Sequence, residues 1–388
     1  MRTEDLVILR SVKIAPTAKE LKELDDLLGK VTNWLYLQHT LIERGVAPLF
    51  FKKLPALKNK SLLPWDVETR LRQTYYLTMS RGMLMYRFFG EVINAFSEQG
   101  IPVIALKGIY LAEWMYKDIA LRQFSDIDLL IKKADGAKAL NILRELGYTA
   151  YDSKERGIVV KTKSEAIHYP PMIKDGVSIE LHTRLNRKKE KFNLPVEKLW
   201  EHAVQVQINK MPVFALDSYD TLIHLCTHAD KHFREGKIQF TCFNDICNFI
   251  ETYETDWNEL IVRSRIYGCE AIVFKYIILV NKHLHAVIPE NIQQTYAALL
   301  TVADEQKFIR FVMGEFETFS AVPFHLKNIE ELNSVFERVS YLLAVLFPDK
   351  SFMLKSYKIR HPKLYWLYYP YRWYIGIKGF IQKKIIKR

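Results

Sequence analysis

Residues Ala105–Lys133, "ALKGIYLAEWMYKDIALRQFSDIDLLIKK", decide how this 388-residue chain is read. Asp126 and Asp128 stand two residues apart, and strand side chains alternate with period two, so on a strand both carboxylates point the same way. Ile127, Leu129, Leu130 and Ile131 around them are apolar. The pattern predicts a buried strand over Asp126–Lys132 with two negative charges at its rim. Paired acids beside an apolar strand are costly unless solvent, a cation or a metal answers them. A divalent metal is the natural answer. Upstream, "IPVIAL" predicts a short buried strand, ended by Gly108 as the chain turns into a helix over Ile109–Tyr116. Backbone N–H groups at a helix start can cradle a phosphate; a plain strand-to-helix turn is the other reading of this glycine. Lys107 is placed either as a point charge on phosphates or as a solvated lysine. Arg122 suits a phosphate or Asp126.

On either side of this stretch the texture is helical. Leucines at 21, 24, 27 and 28 give Ala18–Leu28 an amphipathic spacing. Asn33 is placed to cap a helix through Ile42. A long amphipathic segment from about Asp66 to Phe96 follows Pro64 and closes at Gly100, with Gly82 and Gly90 arguing against a straight helix. After the acids, Asp135 is expected to cap a helix through Leu146 that stops at Gly147. The β-prone pieces "YTAY", "GIVVKT", "AIHYP" and "VSIELHTRL" come next. Beyond Pro195 helices are expected over Asp217–Phe233, Phe243–Tyr253, Asp256–Ile266, Ala271–His285 and Pro289–Met313. Strand, helix, strand, helix, then antiparallel strands predicts an α+β fold, a mixed sheet with helices, flanked by N- and C-terminal helical regions. The expected divisions are a helical subdomain over 1–100, an α+β core over 101–215, a helical domain over 216–345 and a basic aromatic tail over 346–388.

The net charge of +12 is unevenly spread: residues 351–388 carry ten Lys or Arg and no Asp or Glu. The rest of the chain is close to neutral, which argues against a general nucleic-acid-binding surface. No run of 18 uncharged apolar residues is present, and the N-terminus has no apolar stretch of signal-peptide length. A cytoplasmic protein, at most peripheral at the inner face of the membrane, is the expectation. Cys226, Cys242, Cys247 and Cys269 form no CxxC pair, so free buried thiols are expected, with zinc as the lesser reading.

Lys107-Gly108, an amphipathic helix, Arg122 and then "SDIDLLI" resemble the catalytic core of the polymerase-β-like nucleotidyltransferase superfamily. More closely they resemble its incompletely characterised bacterial branch, over about the first two-thirds of the chain. The resemblance implies a third acid on a neighbouring strand, and Glu180 in "VSIELHTRL" matches the branch's acid-leucine-histidine with Leu181 and His182. Alternation points Ser178, Glu180 and His182 together. It also implies a magnesium- or manganese-dependent transfer of an NMP from an NTP, with Asp126, Asp128 and Glu180 as the catalytic, metal-binding acids and Lys107, Gly108 and Arg122 at the nucleotide. The wider superfamily places a serine after the glycine; Ile109 stands here, and a hydroxyl is lost from the triphosphate contacts.

"HLCTHADKH" puts His224, His228 and His232 on one helix face, and Asp245 lies on the next expected helix. The branch has a similar histidine helix followed by an aspartate. The resemblance implies a site role without saying which; His182, His224, His228 and Asp245 are candidates to line the cleft, and for the histidines of this helix packing against the sheet is an equal reading and zinc binding a lesser one. The tail "HPKLYWLYYPYRWYIGIKGFIQKKIIKR" interleaves aromatic and basic residues, which suits packing on the helical domain, an anionic membrane surface or single-stranded nucleic acid. The leading expectation is an NTP-using nucleotidyltransferase acting on a hydroxyl or phosphate acceptor; saccharide, peptide, tRNA and protein acceptors are all open. Its rivals are a non-catalytic nucleotide-binding module docked at the membrane by the tail and, less in keeping with the neutral body, an RNA-directed enzyme of the toxin type.

Overall fold

The computed structural model describes residues 1–150, 167–187, 190–235, 239–314 and 335–375, except 349, 351–352, 355–356, 358 and 360. The "GIVVKT" stretch and the end of the basic tail lie outside the described residues. The chain divides into two compact units, residues 1–149 with 167–316 and residues 150–166 with 317–388. The first unit holds the N-terminal helices, the sheet and the helices between Val196 and Val312 together.

Helices open that unit: α1 (Thr3–Arg10), α2 (Ala18–Leu28), α3 (Trp34–Glu43), α4 (Ala47–Lys53) and α5 (Trp65–Glu98). Thr17 starts α2 through a capping box with Glu20, and the Asn33 side chain accepts from the Tyr36 backbone N–H to start α3. The helix α5 runs unbroken through Gly82 and Gly90. Gly82 is there for close approach: a Cβ would lie 2.3 Å from Ile119 Cγ1 and 3.3 Å from the Ile119 carbonyl oxygen. Gly82→Ala should therefore lower stability by about 1 kcal/mol in urea denaturation, since about 1–3 kcal/mol of overpacking outweighs the roughly 1 kcal/mol of helix propensity that alanine brings.

The sheet is built from β1 (Ile104–Ala105), then, after α6 (Lys107–Trp114), β2 (Asp126–Leu130), and, after α7 (Gly136–Glu145), β3 (Thr149–Ala150), β4 (Met172–Lys174) and β5 (Val177–His182). Past α8 (Val196–His202) it is completed by β6 (Val204–Ile208) and β7 (Met211–Ala215). The order is β3-β4-β5-β2-β1-β7-β6. Strand β2 is parallel to β5 and antiparallel to β1, and β1 is parallel to β7, so the sheet is mixed. Asp135 makes no side-chain cap; a 3₁₀ turn over Lys133–Asp135 leads into α7 instead.

The β6–β7 hairpin is absent from the sequence expectations. It turns on Asn209 and Lys210, both at positive φ (49° and 64°), a two-residue turn of the kind that usually carries glycine. With lysine in the second place the signal is muted, although Val204, Val206 and Ile208 alternate with Gln205 and Gln207. The remaining helices are α9 (Ser218–Glu235), α10 (Thr241–Thr252), α11 (Trp257–Ile266), α12 (Glu270–Leu284), α13 (Glu290–Tyr296) and α14 (Val302–Val312). The single helix expected over Pro289–Met313 is two, because Thr301 and Asp304 form a capping box that starts α14 afresh. In the second unit a helix over Val335–Leu346 and a 3₁₀ segment over Pro362–Tyr368 are described. Among the described residues no helix is long and apolar enough to cross a membrane.

Candidate active site

The parallel pairing of β2 with β5 sets Asp126 opposite Ser178, Asp128 opposite Glu180 and Leu130 opposite His182. Alternation sends Ile127, Leu129, Ile179 and Leu181 into the core, where each is at most 1% exposed. The same alternation turns Asp126, Asp128, Ser178, Glu180 and His182 to the other face. The three acids expected from sequence thus share one side of two adjacent strands.

Asp128 is the centre of the cluster. Lys107 Nζ lies 3.0 Å from its Oδ2, and His182 Nε2 donates to its Oδ1 over 2.7 Å. Lys107 is delivered by the sheet itself: the Leu106 N–H donates to the Asp128 carbonyl (3.0 Å), and the next residue turns out of β1 at φ 39° to begin α6. Burial pushes the Asp128 carboxyl up, but the Lys107 charge and the His182 hydrogen bond overcome it and hold the group well below the usual carboxylate range. Asp126 and Glu180 go the other way. Burial raises each, and the charge of Asp128 adds to the rise. His182 is lowered by burial, so it is the neutral Nε2–H tautomer that faces Asp128.

One ligand atom each from Asp128, Glu180 and His182 lie within 4.8 Å of one another. With His182 Nε2–H spent on Asp128, the donors left are carboxylate oxygens, which suit a hard divalent cation such as Mg²⁺ or Mn²⁺, and Asp126 lines the same cavity one alternation away. His202, Asp217 and Asp220 form a second such group. There the Arg263 guanidinium, 2.5 Å from Asp217 and 3.5 Å from Asp220, already supplies the positive charge and ties α9 to α11.

Arg122 corrects one expectation. It is buried and grips Asp245 on α10 with a fork, Nε to Oδ1 at 3.0 Å and Nη2 to Oδ2 at 2.6 Å, rather than Asp126. Tyr116 donates to the same carboxylate over 3.0 Å. Asp245 therefore stands behind Arg122 as its counter-charge. Gly108 is fixed by crowding: a Cβ there would meet Phe124 Cβ at 3.0 Å and Arg122 Nη1 at 3.1 Å. The Arg122 and Phe124 side chains thus pack directly on the first turn of α6.

The histidines of α9 face the acids. Burial, with Lys107 second, holds His228 well below the ordinary imidazole value. Its Nε2 stands 3.3 Å from Lys107 Nζ and 3.1 Å from His232 Nε2. His224 is 5% exposed and, among the described residues, neither ring nitrogen has a hydrogen-bond partner. The four cysteines are free, and the triads of metal-type donors found among the described residues include neither them nor these histidines.

Two adjoining cavities flank the acids, sharing Lys107, Asp126, Asp128, His228 and His232. The one on the Gly108 side, about 140 Å³, is also lined by Arg122, Ser125 and Asp245. Beyond it, with Arg122 to Ser125 in common, opens a cleft of about 610 Å³ lined by Arg44, Arg70 and Arg81. The cavity on the Glu180 side, about 250 Å³, takes in His168, His182, Asn186, Arg187, His224 and Lys231. His168 and Lys231 were not anticipated. His168 Nε2 lies 3.7 Å from Glu180, and its place in "AIHYP", read only as a strand, gave no cue. Lys231 follows His224 by seven residues, the same helix face, which is the signal that could have found it. Burial, and then the Arg187 charge, pushes the Lys231 ammonium down to about 8.

Residues 30–285 match the model of a family described as uncharacterised nucleotidyltransferase. No curated protein matches. Among solved structures, the antibiotic-resistance factor ANT(2'')-Ia is 11% identical with a TM-score of 0.33, over 52% of this chain and 98% of that one. An antigenic nucleotidyltransferase-like protein from Paracoccidioides brasiliensis is 15% identical with a TM-score of 0.32, over 53% and 93%. The family match runs from just before α3 to just past α12 and encloses Lys107, the acids of β2 and β5 and the histidines of α9. The chain belongs to this nucleotidyltransferase family, and its reaction is the transfer of a nucleotidyl group.

Proposed function

We propose that the chain is a metal-dependent nucleotidyltransferase moving an NMP from an NTP to an acceptor oxygen, with Asp126, Asp128 and Glu180 as its catalytic acids. The observation that carries this reading is the register of Asp128 against Glu180 on parallel neighbouring strands, on the face that Asp126 shares, between two cavities. Asp126, Asp128 and Glu180, with His182 beside them, would hold the divalent ion. Such an ion supplies charge neutralisation for the phosphates and for the leaving pyrophosphate.

The chain's own residues do the rest. The donor's triphosphate lies on the Gly108 side, where Gly108 in the first turn of α6 lines the cavity beside Arg122 and Lys107 adds a point charge. The acceptor enters from the Glu180 side. Its oxygen bonds to the α-phosphorus, the bond from that phosphorus to the α,β-bridging oxygen breaks, and pyrophosphate leaves with the electron pair. Glu180, raised by burial and by Asp128, takes the acceptor's proton on a carboxylate oxygen. His182 holds Asp128 in place. Arg122, anchored by Asp245, keeps a guanidinium beside Gly108.

A second reading is a nucleotide-binding module at an anionic membrane surface. It is favoured by Ile109 in the serine position, by the exposed apolar stripe of Phe336, Val339, Leu343 and Phe347, and by ten basic residues over 351–388 without an acid. One experiment separates the two: thermal unfolding with each NTP, with and without Mg²⁺, on wild type and Asp128→Asn, followed by a pyrophosphate assay. At 100 times Kd a native-state ligand stabilises by about 2.7 kcal/mol. The enzyme reading expects a metal-dependent shift with one NTP, lost in Asp128→Asn, and pyrophosphate once acceptors are supplied. An unchanged shift in Asp128→Asn would overturn the assignment of the acids.

A further inference from the structure

The cavity on the Glu180 side has two unlike walls. Asp126, Asp128 and Glu180 form one. Helix α9 forms the other with His224, Thr227, His228 and Lys231, residues one and two turns apart on a single face. Asp128 is answered by Lys107 within the protein. Lys231 has no hydrogen bond or ion pair among the described residues; it feels the charges of Glu235 and of Glu190, which lines the same cavity, but those acids are engaged by Arg187 (3.3 Å) and Arg234 (3.1 Å). His224 adds two ring nitrogens, buried and without partners among the described residues. A buried imidazole left unpartnered carries the desolvation cost of both nitrogens unless a ligand bonds them. Lys231 does not line the cavity on the Gly108 side, so the donor's phosphates do not account for it.

We propose that this cavity takes an acceptor carrying its own negative group, a phosphate or a carboxylate, bound by Lys231 and His224 while its hydroxyl reaches the acids. The proposal rests on the nucleotidyltransferase reading above and adds the acceptor's chemical class to it. The acids and the divalent ion they would hold serve the donor's phosphates and the acceptor's hydroxyl, which leaves the anionic group to the opposite wall. The far wall gives it an ammonium and an imidazole N–H, and the two ends of the acceptor are sorted by charge. A volume of about 250 Å³ suits a small acceptor or one end of a larger one. In the reaction the hydroxyl oxygen bonds to the α-phosphorus, the hydroxyl proton goes to Glu180 and pyrophosphate leaves with the electron pair. The anionic group changes no bond.

The test loads the full chain with Mg²⁺ and the α,β-methylene analogue of the NTP that stabilises it, then titrates inorganic phosphate and, separately, acetate by calorimetry. Saturable binding of one probe is expected, weakened at least about 10-fold in Lys231→Met and retained in Lys231→Arg. Donor affinity should be unchanged in both variants. Preference for phosphate or for acetate identifies which anionic group the acceptor bears. The proposal is overturned if the donor-loaded protein binds neither probe, or if Lys231→Met binds them as wild type does. His224→Asn, expected to weaken the same probe, covers the case in which Lys231→Met fails to fold. Should no NTP analogue bind in the first step, the nucleotidyltransferase reading itself falls, and the acceptor class with it.

Discussion

Asp128→Asn should lower nucleotidyl transfer by about 10³-fold, equivalent to about 4 kcal/mol of barrier. Asparagine keeps the shape and one acceptor oxygen, so the His182 bond to Oδ1 survives. The charge does not. Lys107 Nζ, 3.0 Å from Oδ2, would then face an amide with no charge to offer, next to a His228 that burial keeps neutral. A divalent ion would lose its most strongly ionised carboxylate, because Asp126 and Glu180 are both raised by burial while Asp128 alone is held low. The loss should fall on kcat as well as kcat/KM, since the charge is needed where negative charge shifts onto pyrophosphate. Steady-state kinetics with pyrophosphate detection checks it. Retention of full activity would show that Asp128 is a structural partner of Lys107 and no more.

The second large effect is on stability. Asp245→Ala should cost about 3–5 kcal/mol of unfolding free energy, measured by urea denaturation. The Arg122 guanidinium is buried and gives two forked bonds to this carboxylate; without it a charge is left uncompensated in the interior, and Tyr116 loses its acceptor. Arg122→Met in the same chain should recover much of the loss, because the desolvation penalty disappears with the charge. A recovered fold without recovered transfer would separate the two things that Arg122 does. If Asp245→Ala unfolds at the same urea concentration as wild type, the pair is not the interior strut that its burial indicates.

Much of the site could be read from residue order, because strand alternation is local. "SDIDLLI" and "VSIELH" each declare which side chains share a face, and joining the two strands in parallel then leaves Asp128 beside Glu180. Helix α2 begins and ends where its leucine spacing says it should. What escaped is what distance along the chain conceals. Arg122 has an acid four residues away and takes instead one 123 residues away, since a forked partner must match in geometry and not in sequence separation. The β6–β7 hairpin hid behind a lysine in a glycine position. Lys231 and His168 were passed over because a lysine on a helix and a histidine near a strand carry no pattern of their own; only the cavity they line makes them a set.

The sheet order has a consequence for how the protein is made. Strand β1, next to the central strand β2, pairs on its other side with β7, which the chain completes only after β2, β5 and all that separates them have been synthesised. Arg122 waits longer still for Asp245. At ribosomal speed the interval from Ala105 to Asp245 is on the order of 10 s, during which the acids of β2 have neither their full strand neighbours nor the histidine helix over them. Non-local pairings of this kind fold slowly. A nascent chain is thus inert until some two-thirds of it has left the ribosome, and polypeptides terminated before α10 would be expected to end up as substrates for chaperones and proteases, not as partial enzymes.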